Sequence, residues 1–313
     1  MKVGSHMTRI FIDGSAGTTG LRIRERLSER RDVELIALPE EKRKDENARR
    51  EALNRADVAF LCLPDAAAVE AVAMIENDHT AVIDTSTAHR TAPGWVYGFP
   101  EVNGLREQIR QSTRIANPGG HASGFIALVA PLVYAGLLDA NAQLSCFSLT
   151  GYSGGGKKMI AEYEGEGRSP LLDAPRQYGL SQQHKHLPEM AAVSGLSAPP
   201  CFCPIVADFY SGMEVSVPLF ASQIKGTPAQ IREIYREVYA GLVVRYVESP
   251  DEGGFLSAAA LSGNDGMEIS VSGNDARILL TARYDNLGKG ASGAAIQNLN
   301  LLLGADETAG LVL

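Results

Sequence analysis

Ile10-Phe11-Ile12-Asp13-Gly14-Ser15-Ala16-Gly17-Thr18-Thr19-Gly20 is the stretch that decides the fold. Three apolar residues suit a buried parallel strand, and they run straight into a glycine-rich turn. Leu21, Ile23 and Leu27 then recur at helical spacing among Arg22, Arg24 and Glu25. Strand, glycine turn and helix in that order predict the first βα unit of a dinucleotide fold. Gly14, Gly17 and Gly20, with Ser15, Ala16, Thr18 and Thr19 between them, let the backbone approach a pyrophosphate. The helix N-terminus adds unpaired N–H donors and the positive end of a dipole. The spacing is Gly-x-x-Gly-x-x-Gly rather than Gly-x-Gly-x-x-Gly, so the turn alone also describes a plain strand-to-helix connection.

The following segments extend the pattern. Val33–Leu38 reads as a second strand ending before Pro39. Glu40-Glu41-Lys42-Arg43-Lys44 lies about where such a fold selects the adenosine ribose. Its basic residues suit a 2′-phosphate, hence NADP(H) rather than NAD, though a solvated charge run has the same composition. Val58–Asp65 is a third strand with a polar exit, and Ala81-Val82-Ile83-Asp84 a fourth. Ala66-Ala67-Ala68 is a short helical stretch. Alternating strands and helices imply a doubly wound parallel sheet with its ligands at the carboxyl ends of the strands. Further on, residues near Val215–Leu219, Glu268–Val271 and Ile278–Arg283 alternate or run apolar as strands do.

At 313 residues the chain has room for two domains, or for one large domain with an insertion. With 45% hydrophobic and 21% charged residues it reads as a globular protein with a substantial core. A net charge of −8 argues against a nucleic-acid partner and leaves small anionic ligands open. No apolar run reaches the roughly 18–20 residues of a membrane span, and no signal peptide is visible, so a cytoplasmic location is expected. Gly4-Ser5-His6-Met7 reads as the end of a cloning scar covering residues 1–6, with Met7 the native start. Cys62, Cys146, Cys201 and Cys203 form no Cys-x-x-Cys pair and read as reduced thiols; no zinc site is expected. Cys201-x-Cys203 would point both thiols to one face of a strand.

Five further segments carry chemistry. Asp84-Thr85-Ser86-Thr87-Ala88-His89-Arg90 leaves the fourth strand at its carboxyl end, and the planar donor fork of Arg90 suits a phosphate or a surface ion pair. Asn117-Pro118-Gly119-Gly120-His121-Ala122-Ser123-Gly124 precedes an apolar run, Phe125 to Leu128, that starts a helix at about Ala122. Thr150-Gly151-Tyr152-Ser153-Gly154-Gly155-Gly156-Lys157-Lys158 is rich in glycine, as a close-approach loop or a flexible linker is. Tyr178 precedes Gln183-His184-Lys185-His186-Leu187-Pro188-Glu189. As residues alone, His184 and His186 suit two metal ligands on a strand face, an acid/base pair, or a structural pair. Arg283 to Gly293, containing Asn286, Gly288, Lys289 and Gly290, leads into Ala294-Ala295-Ile296-Gln297-Asn298-Leu299-Asn300-Leu301.

Together these segments resemble the short-chain branch of the N-acetyl-gamma-glutamyl-phosphate reductases, of the semialdehyde dehydrogenase superfamily, along nearly the whole chain. The resemblance implies an α/β fold: a Rossmann-like doubly wound parallel-sheet domain with an inserted α+β catalytic domain whose sheet is mainly antiparallel. The NADP-binding domain would comprise residues 7–119 and 285–313, and the catalytic and dimerisation domain residues 120–284. The implied activity is NADPH-dependent reduction of an acyl phosphate to the semialdehyde through a cysteine thioester, in arginine biosynthesis. Gly120 stands where the family carries that cysteine. His184 would be the acid/base. Ser86, Arg90, Asn117, Lys157, Tyr178, His186 and Glu189 would bind or orient substrate. Gly14–Gly20, Asn286, Gly288, Lys289 and Gly290 would hold the cofactor. A homodimer or homotetramer, an acyl-phosphate substrate and no metal are expected. Because glycine has no nucleophile, three readings stand: a reductase whose cysteine has been replaced, a non-catalytic NADP- or substrate-binding protein, and a thiol-independent carbonyl or imine reductase.

Overall fold

A computed structural model describes residues 7–250 and 252–313; the cloning-scar reading of residues 1–6 falls outside them. The apolar runs of the first third form β1 (Thr8–Asp13), β2 (Val33–Ile36), β3 (Val58–Leu61), β4 (Ala81–Asp84), β5 (Val96–Tyr97) and β6 (Arg114–Ala116). They make one sheet in the order β2-β1-β3-β4-β6-β5, with every pair parallel. Helices α1 (Thr18–Ser28), α2 (Glu46–Arg55), α3 (Asp65–Ala73) and α4 (Leu105–Gln111) connect these strands. β3 and β4 are buried along their length, as strands covered on both faces must be. One face packs Ile23 and Leu27 of α1; the other packs Ala52 and Leu53 of α2 with Ala68 and Ala71 of α3. The order reverses at β1, between β2 and β3, so the expected glycine turn opens at the topological switch point.

The chain then enters α5 (Gly120–Tyr134), which is buried from His121 to Leu132. A helix that is apolar on every side has to lie at the centre of a fold, and α5 does. It begins two residues earlier than the sequence suggests, at Gly120. The second sheet contains β7 (Ser145–Gly151), β8 (Arg176–Gln177), β9 (Cys201–Ala207), β10 (Met213–Phe220), β11 (Val244–Tyr246), β12 (Met267–Gly273) and β13 (Arg277–Tyr284). Its order is β11-β12-β13-β10-β7-β9-β8; four of its pairs are antiparallel and the pairs β11–β12 and β7–β9 are parallel. Helices α6 (Gly156–Glu164), α7 (Leu187–Ser194) and α8 (Pro228–Val238) belong to this half. Val215, Val217, Leu280 and Ala282 pack with α5, α7 and α8 in the largest core. After β13 a π-helical turn (Gly288–Ser292) leads into α9 (Gly293–Leu302), whose Ala295, Ile296 and Leu299 return to the core of the first sheet beside α1. That return brings the glycine turn, the head of α5 and the 285–291 segment together.

Candidate active site

One wall is backbone. Gly14 has φ +86°, and a side chain there would collide with the Cys62 carbonyl; at Gly20 a Cβ would lie 2.5 Å from the Gly14 oxygen. Both positions therefore require glycine, and no side chain caps α1 at Gly17. The turn borders two cavities. Gly17, Thr18, Thr19 and Gly20 line a cleft of about 500 Å³. Gly14, Ser15 and Ala16 line a pocket of about 560 Å³ with Leu35–Leu38, Arg24, Arg43 and Lys44. Lys42, the first residue of the expected basic selector, does not line that pocket, and Arg49 there is held by Asp13 at 2.9 Å. The turn thus offers backbone donors on one side and, on the other, the basic side chains of Arg24, Arg43 and Lys44 beside the carboxylates of Glu40 and Glu41.

The opposite wall is built from side chains. Glu189, 1% exposed, accepts from Arg90 Nη1 at 2.6 Å, Tyr97 Oη at 2.6 Å and the Gly119 N–H at 3.1 Å. Arg90 also donates to the carbonyls of Asn117 (2.9 Å) and Thr85 (3.1 Å). Three of its five N–H groups are thus engaged, and the guanidinium still lines the cleft. Asn117 lines the cleft while donating to the Ala291 carbonyl and accepting from Asn298. This hub fixes the head of α5. A Cβ on Gly119 would lie within 2.7 Å of Arg90 Nη1, Glu189 Oε1 and His186 Nε2, so a side chain there would push the hub apart. Gly120 differs: a Cβ there would meet nothing closer than 3.6 Å, the Gly290 oxygen and Met213 Sδ, which is ordinary contact.

Around that opening stand three imidazoles. His121 Nδ1 pairs with Ser148 Oγ at 2.6 Å and its Nε2 with Tyr178 Oη at 2.5 Å. Its ring lies 5.7 Å from those of both His184 and His186, which are 4.7 Å apart. Burial, with His184 nearby, depresses the His121 pKa to about 3. Burial, with Arg90 and the other imidazoles, holds His186 well below its ordinary value. Burial and Lys185 lower His184. All three rings are therefore neutral near pH 7. His186 is 8% exposed, its Nδ1 has no partner, and it caps α7 rather than sitting on a strand. Among the described residues no group of three His, Cys, Asp or Glu side chains is arranged to hold a metal ion.

Several expected contacts are placed differently. Ser86 is turned back on Asp84, its N–H and hydroxyl bonding that carboxylate at 2.9 and 2.8 Å, and it does not line the cleft. Lys157 stands exposed on the first turn of α6, outside the cleft, whereas Lys185 lines it. Glu189 has its carboxylate engaged by chain donors and organises the site instead of facing a ligand. Gly288 is packed against the Asn264 carbonyl, and Lys289 is fully buried on Glu101; of that turn, Gly290 and Ala291 line the cleft. Asn286 also lines it, bonded to Ser153 and to the Gly212 N–H. His121 and Lys185 line the cleft without being singled out by the sequence. Their one signal is adjacency to the motif residues Gly120, His184 and His186.

The chain matches two families: the semialdehyde dehydrogenase NAD binding domain over residues 9–112, and the semialdehyde dehydrogenase dimerisation domain over residues 121–286. It is 45% identical to N-acetyl-gamma-glutamyl-phosphate reductase 2 of Nostoc sp., over 97% of this chain and 99% of that protein. It is 48% identical to the N-acetyl-gamma-glutamyl-phosphate reductase of Chelativorans sp., over 94% of this chain and 98% of the relative. The chain belongs to the N-acetyl-gamma-glutamyl-phosphate reductases. Members of this family are oxidoreductases, and the reductase fold extends to proteins of much lower similarity. Aspartate semialdehyde dehydrogenase II of Vibrio cholerae superposes with a TM-score of 0.73 at 17% identity, covering 96% of this chain and 99% of that one. The aspartate semialdehyde dehydrogenase of Candida albicans, solved with NADP, gives 0.68 at 15%, covering 95% and 99%. In this reductase chain the residue at the head of α5 is Gly120.

Proposed function

We propose that this chain has the cofactor- and acyl-binding scaffold of an NADPH-dependent N-acetyl-gamma-glutamyl-phosphate reductase, with Gly120 in place of its nucleophile. The observation that carries this reading is the contrast at the head of α5: Gly119 has no room for a side chain, and Gly120 has room for one that would face the cleft shared by Gly17–Gly20 and His184. A thiol on residue 120 would lie at a helix N-terminus, where the dipole favours thiolate and backbone N–H groups oppose an oxyanion. Neutral His184 suits removal of the thiol proton and its return to the product oxygen. Arg90 has N–H groups left for the phosphate, and Lys185 adds a cation where Lys157 does not. Gly14–Gly20, Asn286 and Gly290 would hold the dinucleotide, with Arg24, Arg43 and Lys44 on the 2′-phosphate; when bound, NADPH supplies hydride.

No other thiol replaces the missing one. Cys146, Cys201 and Cys203 do not line the cleft. Cys62 does, but burial pushes its thiol up to about 12, which leaves it protonated. In this reading the cofactor domain comprises residues 7–119 and 285–313, the catalytic domain comprises residues 120–284, and the protein is cytoplasmic. The face of the second sheet that exposes Phe147, Cys201 and Phe220 suits a second copy of the chain, in a homodimer or homotetramer.

Gly120→Cys tests the proposal. Phosphate-dependent reduction of NADP by the semialdehyde should appear in the variant and be absent in the parent. A variant that binds NADPH and remains inactive favours a binding protein. Reduction of simple carbonyls or imines by the parent chain favours thiol-independent chemistry.

A further inference from the structure

Lys289 has no solvent exposure, and burying an ammonium group is strongly unfavourable unless it is paired and hydrogen-bonded. Its Nζ donates to both Glu101 oxygens, at 3.1 and 2.9 Å, and to Gln297 Oε1, and lies 4.6 Å from the centre of the Phe99 ring. Gln297 donates in turn to Glu101 and Glu307, each at 2.7 Å, and Glu307 pairs with Arg106 of α4. The cluster points away from the cleft, so no acyl chemistry reaches it. Yet Lys289 occupies the π-helical turn Gly288–Ser292, whose next two residues, Gly290 and Ala291, form cleft wall beside Gly120. Turns of this geometry are rare and concentrate at functional sites.

The far side of the turn is filled as tightly. A Cβ on Gly288 would collide with the Asn264 carbonyl, and one on Gly293 with the Asp265 carboxylate. Asp265 is buried and pairs with Arg26 of α1, the helix that begins behind the glycine turn. Residues 288–292 are therefore wedged between the helix that carries the pyrophosphate wall and the buried Glu101–Gln297 cluster. No residue of the Lys289–Glu101–Gln297 cluster lines the Arg43–Lys44 pocket, whereas Gly290, next to Lys289, lines the cleft.

We infer that Lys289, Glu101 and Gln297 form a positioning device that sets the 288–292 turn for the nicotinamide end of the cofactor. This rests on the cofactor assignment proposed above. The test measures two ligands on the same protein: NADPH, which spans the groove, and adenosine 2′,5′-bisphosphate, which reaches only the Arg43–Lys44 pocket. Lys289→Met should weaken NADPH by about tenfold or more, since a small misplacement of a pre-organised wall has effects of that size, and leave the bisphosphate within about twofold. Equal losses of both ligands would make the cluster a general stability element and overturn the inference, as would unchanged NADPH affinity. If Lys289→Met does not fold, Gln297→Leu keeps the Lys289–Glu101 pair and should still weaken NADPH selectively; no selective loss overturns the inference. A parent chain that binds neither ligand overturns the cofactor assignment, and this inference with it.

Discussion

The two walls of the cleft are built on opposite principles. The Gly14–Gly20 wall is backbone with open N–H groups, and it depends on residues 14 and 20 having no side chain. The imidazole wall is made of side chains that hold one another: Glu189 with three donors, Arg90 with three acceptors, His121 between Ser148 and Tyr178. In the proposed reading, a single side-chain change at residue 120 leaves the first wall intact and removes the chemistry of the second, so that binding and turnover come apart.

The widest separation between the walls is in turnover. Gly120→Cys should raise acyl-phosphate reductase activity by up to about a millionfold, the usual effect of supplying or removing a covalent nucleophile. Its Cβ needs no repacking, so the variant should melt where the parent does. Next comes the hub. Glu189→Ala leaves Arg90, with an 8% exposed side chain, without its carboxylate. We expect a loss of about 3–5 kcal/mol in urea unfolding, as for one-sided removal of a buried ion pair. A loss below about 1 kcal/mol would mean that this wall is less interlocked than its hydrogen bonds indicate.

How much of this is legible in the sequence differs between the same two walls. The glycine turn is local: strand, glycine spacing and helix lie within twenty-odd consecutive residues, and the period changes at Gly14. The imidazole wall joins residues from after β4, the head of α5, β7 and the loop before α7, and only the fold brings them together. The resemblance therefore points to His184 and His186, but local pattern cannot show that Ser86 turns to Asp84, that Glu189 is engaged by three donors, or that Lys157 faces solvent. His121 carries no local sign of facing a cavity; α5 starting at Gly120 turns it into the cleft. Lys289 was legible as part of a glycine motif, but its burial on Glu101, nearly 190 positions away, was not.

Smaller effects sharpen the contrast. Arg43→Ala with Lys44→Ala should weaken NADPH by about tenfold and leave NADH unchanged, the scale of losing one charge-assisted hydrogen bond. A preference of the parent chain for NADH would remove the 2′-phosphate assignment. The imidazole wall should also report on pH. His121 has its folded pKa depressed to about 3, below the unfolded value near 6.5, because burial disfavours the imidazolium. The unfolded chain thus binds more protons between those values, and stability that is full above about pH 6.5 is lost as pH falls toward 3. His184 and His186 shift in the same direction. The urea midpoint should drop between pH 7 and 5, and His121→Gln should flatten that drop; an unchanged slope would assign it to other groups.

The independence of the two walls is tested most directly by titrating NADPH into the parent chain and into Gly120→Cys side by side, by fluorescence, and then assaying both samples for phosphate-dependent reduction of NADP by the semialdehyde. Equal affinities, with turnover in the cysteine variant alone, are the predicted result. A parent chain that fails to bind NADPH, or that turns over as fast as the variant, would contradict it.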